Sequence, residues 1–241
     1  MSEPISHTVK SFDDDLAQLR SRIGEMGGMV EAQIHAAIDA LVRRDVDASI
    51  QVVADDRAID AIELDAERLA ITTIALRAPM ADDLRDIIAA LKISNMLERI
   101  GDYATNIAKR VTVLAQSSPV QPSVIIPEMG RAVAGMVKGA LDAYADRDPD
   151  LAAEVCERDR MVDDLYSSLF RSLLTYMMEN PHHITASAHL LFVAKNLERV
   201  GDQATNIAEV VYFNATGHHI TERRKYDDSP YALAQTTEVQ S

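Results

Sequence analysis

A twelve-residue segment occurs twice in this chain, one hundred residues apart. Leu97-Glu98-Arg99-Ile100-Gly101-Asp102-Tyr103-Ala104-Thr105-Asn106-Ile107-Ala108 and the segment from Leu197 to Ala208 agree at ten of twelve positions. Further upstream, Asp56-Arg57 and Asp60 return as Asp159-Arg160 and Asp163, at an offset of 103. Agreement at that level is not chance, so the chain is a duplicated unit. Whatever one copy folds into, the other must also accommodate, and the two copies can be compared position by position.

Each copy reads as three helices. Leu16, Leu19, Ile23, Met26, Val30, Ala37 and Leu41 follow the 3–4 spacing of an amphipathic helix. That spacing predicts a first helix from about Ser11, read as its N-cap, to Arg44. A turn at Asp45-Val46-Asp47, with Asp47 as cap, leads to a second helix from about Ala48 to Arg77. Its expected packed stripe is Ile59, Ile62, Ala66, Leu69, Thr73 and Leu76. Pro79 ends it, because proline disfavours helical geometry in the residue before it. The third helix is expected from about Met80 to Leu114, on a stripe of Leu97, Ile100, Ala104, Ile107, Val111 and Leu114. Residues 116–126 hold the Ser-Ser-Pro-Val-Gln-Pro-Ser run and read as a linker. The order then repeats, with a helix from Pro127 to Arg147, a turn at Asp148-Pro149-Asp150, and a long helix to Asn180. Pro181 makes a break, and a last helix ends near Gly217. The expected fold is therefore all-α: two tandem three-helix bundles, 11–115 and 127–217, in pseudo-twofold relation. Residues 1–10 and 218–241 are expected to be tails. Aromatics make up only 5% of the chain and there is no Trp, which suits aliphatic helix packing better than a β-sandwich.

The formal net charge is −14. Such a surface repels phosphate backbones and anionic lipid, which argues against nucleic-acid partners. Cys156 is the only cysteine; no intramolecular disulfide can form, and a packed, inert thiol is the default reading. Met1-Ser2-Glu3-Pro4 lacks the pattern of a signal peptide, and no run approaches 18 apolar residues. A soluble cytoplasmic protein is expected.

The repeated segments carry paired acids. Glu98/Asp102 and Asp56/Asp60 are each four residues apart, on one helix face. Asp60 lies 19 residues before Pro79 and Glu98 lies 19 after it; Asp56 and Asp102 are each 23 away. In an antiparallel hairpin these partners reach the same height. In the second copy Asp163 and Glu198 lie 18 and 17 residues from Pro181, and Asp159 and Asp202 lie 22 and 21 away. Four carboxylates can thus converge in each copy, where they would raise one another's pKa values. A hard cation relieves that repulsion, and oxygen-only ligands suit Mg²⁺, Mn²⁺, Ca²⁺ or iron. A single acidic pair of this kind is ordinarily a solvated face. By angular position these acids lie well away from the apolar stripes, so the expected site is an exposed groove between helices.

Gly101 and Gly201 sit mid-helix, where glycine costs about 1 kcal/mol relative to alanine. Their recurrence predicts close approach by a neighbouring helix. Thr105/Asn106 and Thr205/Asn206 lie on or beside the acidic face, either orienting ligands from behind or simply solvated. Glu179 and His182 have Glu-x-x-His spacing, but Pro181 interrupts them, which counts against a ferritin-like di-iron site. His182, His183 and His189 read as surface or satisfied residues. There is no Gly-rich phosphate loop, nucleophile elbow or Cys-x-x-Cys pair.

The twin Leu-Glu-Arg-(Ile/Val)-Gly-Asp-x-Ala-Thr-Asn-Ile-Ala segments, with Asp83-Leu84-Arg85 leading into the first, closely resemble the PhoU family. These are accessory and regulatory proteins of the phosphate-specific transport system. The resemblance spans about residues 11–217. It implies two three-helix bundles, a cytoplasmic location, a homodimer, and metal held on Glu/Asp-x-x-x-Asp motifs. Those motifs fall on Asp56, Asp60, Glu98 and Asp102, and on Asp159, Asp163, Glu198 and Asp202. The implied cofactors are divalent or trivalent metal ions (magnesium, manganese, iron or zinc). The implied partners are the ATPase subunit of a phosphate importer and a phosphate-sensing histidine kinase, with no membrane insertion. The implied function is negative control of phosphate uptake and of the phosphate-starvation response, without catalysis. At the offset of 100, Thr185 stands opposite Arg85, so the two sites are expected to differ. A carboxylate-metal enzyme and a metal-free helical scaffold are the alternative readings.

Overall fold

Capping chemistry sets several of the helix boundaries. The computed structural model describes residues 4–220 and contains six α-helices: α1 (Pro4–Arg43), α2 (Val46–Arg77), α3 (Asp82–Gln116), α4 (Ile126–Asp146), α5 (Pro149–Glu179) and α6 (Ile184–Thr216). Among the described residues there is no strand, and no helix is long and apolar enough to cross a membrane. Asp45, rather than Asp47, caps α2, its carboxylate accepting from the Ala48 amide at 2.9 Å. Asp47 instead lies in the first turn, where a negative charge meets the positive end of the helix dipole. Asp148 caps α5 by accepting from the Asp150 and Leu151 amides. Gly217 closes α6 in the left-handed region, with φ 74°.

The first helix starts earlier than Ser11. It begins at Pro4 and runs through Ser11. Proline suits a first turn because the missing amide hydrogen is unpaired there anyway. A serine inside a helix costs only about 0.5 kcal/mol, too little to interrupt a long one. From Pro4 onward the expected N-terminal tail is helical; residues 1–3 lie outside the described residues. Of the expected C-terminal tail, residues 221–241 also lie outside them.

Both hairpins fold at their prolines. Ala78 and Ala81 take positive φ (44° and 49°) on either side of Pro79, so the α2–α3 turn is tight and locally strained. All six residues expected on the α3 stripe are buried. On α2, Ile59, Ala66 and Thr73 are buried and Ile62 and Leu69 half-buried, but Leu76 is 71% exposed. The hairpin tip is uncovered, since Met80 beside it is 79% exposed.

The two copies are not separate bodies. Helices α1–α3 pack together, as do α4–α6, but α3 also packs along α6 and α1 along α4. One continuous core runs from Leu19 through the α3 stripe to Val211. The expected linker is drawn into it: Val120 and Ile126 are buried, and Arg44 donates to the Ser117 carbonyl at 2.8 Å.

The seam between the copies closes on a residue that the sequence did not single out. Asp86, at the start of α3, is only 8% exposed. Its carboxylate accepts from Arg20 of α1 at 2.8 Å, from Asn214 of α6 at 2.9 Å, and from Arg147 at the C-cap of α4. Burial pushes the hydroxyl of neighbouring Tyr144 up to about 12. At the offset of 100 the counterpart of Asp86 is Ala186, so the clasp belongs to one copy only.

Candidate functional site: two acidic hairpin faces

The hairpin register brings the paired acids of the first copy into one electrostatic environment. Burial raises the pKa of Asp60, and the charges of Asp56 and Asp102 raise it further. Burial likewise raises Glu98, with further contributions from Asp102, Asp60 and Glu63. Carboxylates from opposite arms of the hairpin therefore feel each other, as the counting from Pro79 requires. Asp60 and Asp102 are exposed while Asp56 and Glu98 are half-buried, which matches a groove between α2 and α3.

Gly101 is what lets Asp56 approach α3. A Cβ there would lie 3.1 Å from Gln33 Oε1 and 3.3 Å from both Asp56 Oδ1 and Ile59 Cδ1. The close approach expected at this glycine is thus made by side chains of two neighbouring helices, Gln33 of α1 and Asp56 and Ile59 of α2. Gln33 of α1, buried under the face, donates through Nε2 to Asp56 Oδ1 at 2.9 Å and to Thr105 Oγ1 at 3.1 Å. Thr105 is buried, so it is not a solvated residue; it holds the amide that orients Asp56. Sequence reasoning missed Gln33, a lone polar residue within the apolar stripe of α1.

The second face is built on the same plan but lies deeper. A Cβ on Gly201 would lie 3.1 Å from Asp159 Oδ1. Asp159 is 2% exposed and Glu198 is buried, so the expectation that these acids lie outside the core fails here. The physical reason is the wall behind them: Val133 faces Gly201 where Gln33 faces Gly101 in the first copy. Burial raises the pKa of Asp163, with Glu198 and Asp164 adding to it and Lys195 opposing. Asp202 is pushed up to about 6, first by burial and then by Glu198.

The Asp202 shift has a consequence for stability. An unfolded aspartate titrates near 3.9. Between about pH 4 and pH 6 the folded chain holds the proton more tightly, so stability rises as pH falls through that window. Above it the carboxylate is charged in both states and its burial is unfavourable. Asp202→Asn is expected to raise stability at pH 7.5 by about 1 kcal/mol, once screening of this partly exposed group is allowed for. It should also flatten the pH 4–6 dependence seen in urea titrations. A variant with an unchanged slope would remove Asp202 as its source.

In chemistry and charge, the first face fits a hard cation: its donors are carboxylates, neighbouring charges add to the raised pKa of Asp60 and Glu98, and Gln33 Oε1 beside Asp56 is buried without a hydrogen-bond partner. The carboxylates share a face without being drawn into a finished cage, and no three His, Cys, Asp or Glu side chains among the described residues are gathered for metal coordination. The second face fits less well, because Lys195 Nζ donates to Glu198 Oε1 at 2.7 Å and stands 2.7 Å from Oε2. Elsewhere, His183 packs on Tyr176 at 4.9 Å between ring centroids, and the half-buried Cys156 thiol packs against the core and donates to the Thr205 carbonyl at 3.9 Å. Glu179 ends α5 and His182 falls in a short 3₁₀ turn, so they do not form a pair on one continuous helix.

Two copies of a three-helix unit, fused through one core and each presenting an acidic hairpin face, define a duplicated helical-bundle protein. The family described as the PhoU domain matches twice, over residues 23–111 and 126–211, one match per copy. The chain belongs to the PhoU family. A relative from Zymomonas mobilis, named a phosphate-specific transport system accessory protein PhoU homolog, is 54% identical over 93% of this chain and 94% of its own length. A homolog of the same name from Caulobacter vibrioides is 49% identical over 90% of this chain and 95% of its own. Among solved structures, PhoU from Pseudomonas aeruginosa superposes with a TM-score of 0.83 at 39% identity, covering 86% of this chain and all of that one.

Proposed function

We propose that this chain is a cytoplasmic accessory and regulatory protein of a phosphate-specific transport system. It restrains phosphate uptake and the phosphate-starvation response as an adaptor, without catalysis. Its partners are the ATPase subunit of the importer and a sensor histidine kinase, and it works as a homodimer. The relatives' shared name supports the transport role. An adaptor needs two partner surfaces, and what supports this reading is that one fused core carries two related acidic faces, the first an open groove and the second deeper.

A divalent or trivalent metal ion organises this surface. Asp56, Asp60, Glu98 and Asp102 hold it on the first face; Asp159, Asp163, Glu198 and Asp202 are the corresponding set on the second. The bound ion supplies positive charge that offsets the carboxylate repulsion and fixes the side chains that a partner meets. The test is a folded Glu98→Gln/Asp102→Asn/Glu198→Gln/Asp202→Asn variant, measured for binding to the ATPase subunit and the kinase. Affinity for at least one partner is expected to fall about tenfold or more, the scale of losing close charge pairs at an interface. Unchanged affinity for both would separate these faces from the adaptor role.

A further inference from the structure

We propose that Lys195 is a resident cation that takes the place of metal on the second acidic face, leaving the first face as the principal metal-binding site of the chain. This rests on the reading that the acidic faces hold a cation. The support is a set of substitutions between the copies around Glu198; one further exchange, Lys92 for Phe192, places a cation of the first copy beside Glu67 rather than among the four shared acids. At the offset of 100, Asn95 stands where the second copy has Lys195. At the offset of 103, Glu63 and Glu67 stand where it has Tyr166 and Phe170. The four shared acids are kept in both.

These exchanges act together. On the first face α2 carries Asp56, Asp60, Glu63 and Glu67, the charges of Asp60 and Glu63 act on Glu98 of α3, and neutral Asn95 merely donates to Glu63 Oε1 at 2.8 Å. On the second face two of those acids are aromatic. Lys195 bridges both oxygens of buried Glu198 at 2.7 Å, and its ammonium lies 5.6 Å from the centroid of the Tyr166 ring. Tyr166 packs on Phe170 at 6.3 Å between centroids. The aromatic pair thus gives the lysine a favourable surface where the first copy has carboxylates. Arg99 and Arg199 are present in both copies and do not distinguish them. Asp164 adds one exposed charge beside Asp163, which the ammonium outweighs by its direct contact with Glu198.

A fixed ammonium a few ångströms from the carboxylates repels an incoming dication, and it already engages Glu198, one of the four acids such an ion would need. Lysine on either face should therefore weaken a hard cation by about tenfold or more, since unit charges at that separation interact by several kcal/mol at a protein surface. The experiment uses the full chain, stripped with chelator and titrated with Mn²⁺, with free Mn²⁺ counted by electron paramagnetic resonance. Wild type should bind at the first face, and Glu98→Gln/Asp102→Asn should abolish that binding. Lys195→Asn should about double the capacity, and Asn95→Lys should weaken the wild-type binding at least about tenfold. If Lys195→Asn does not fold, Asn95→Lys decides alone. A folded Lys195→Asn with no gain, an Asn95→Lys with no loss, or half the wild-type capacity surviving in Glu98→Gln/Asp102→Asn would each overturn the role of Lys195 while leaving the metal reading intact. No Mn²⁺ bound by wild type and Lys195→Asn alike would overturn both.

Discussion

Asp86→Ala is expected to lower the thermal midpoint by about 5–10 °C, among the largest effects of any polar substitution in the chain. One carboxylate takes three donors from three other segments, and each donor is far away in sequence. Its removal unties α1, the α4–α5 turn and the end of α6 from the start of α3 at one stroke. Taking away one partner of a buried ion pair costs about 3–5 kcal/mol when the other is left dry. Here Arg20 and Arg147 are about half exposed, at 46% and 51%, and can turn back to water. About 2–3 kcal/mol is therefore the expected loss, read by urea titration. Arg147→Ala in the Asp86→Ala background should cost less than it does alone, because the two groups act through one bond network. Additive losses would mean that the clasp does not work as a unit.

Duplication is what made so much of this fold visible in advance. The repeated segment located α3 and α6, and the matched distances to Pro79 and Pro181 gave the hairpin register. That register brings Asp60 against Asp102 and Asp163 against Glu198. Local chemistry misled at helix starts: Ser11 looks like a cap but lies inside α1, and Asp45 outcompetes Asp47 because its carboxylate reaches the Ala48 amide. Asp86 was invisible for a different reason. In the run Asp82-Asp83-Leu84-Arg85-Asp86 it reads as one more acid in a solvated first turn, and its partners lie 61 to 128 residues away. Its mismatch with Ala186 is the one hint the sequence offered. The same kind of signal, departure from the repeat, also separates Gln33 from Val133 and Asn95 from Lys195. Identical positions located the acidic faces; the differing ones show how each face is lined.

Gly201→Val should destabilise the chain by about 2–3 kcal/mol, and Gly101→Val by roughly half as much. Helix propensity favours either change, by a few tenths of a kcal/mol, since glycine is the costlier residue in a helix interior. Contact decides the sign. At Gly201 the first added carbon already lies 3.1 Å from Asp159 Oδ1, and the branch methyls would meet Val162 and Val133, whose Cγ1 atoms are 3.6 and 3.8 Å from that carbon. Asp159 is 2% exposed and walled by valines, so it has nowhere favourable to go. At Gly101 the atoms met first are the ends of Gln33 and of half-buried Asp56, which can swing toward the open groove. Alanine at either site should be close to neutral, with propensity gained and space lost nearly cancelling. Equilibrium unfolding of the four single variants measures all of this at once. Equal costs at the two positions would mean that the deeper burial of the second face has no energetic weight, and a stabilising Gly201→Val would mean that Asp159 does not press against α6 at all.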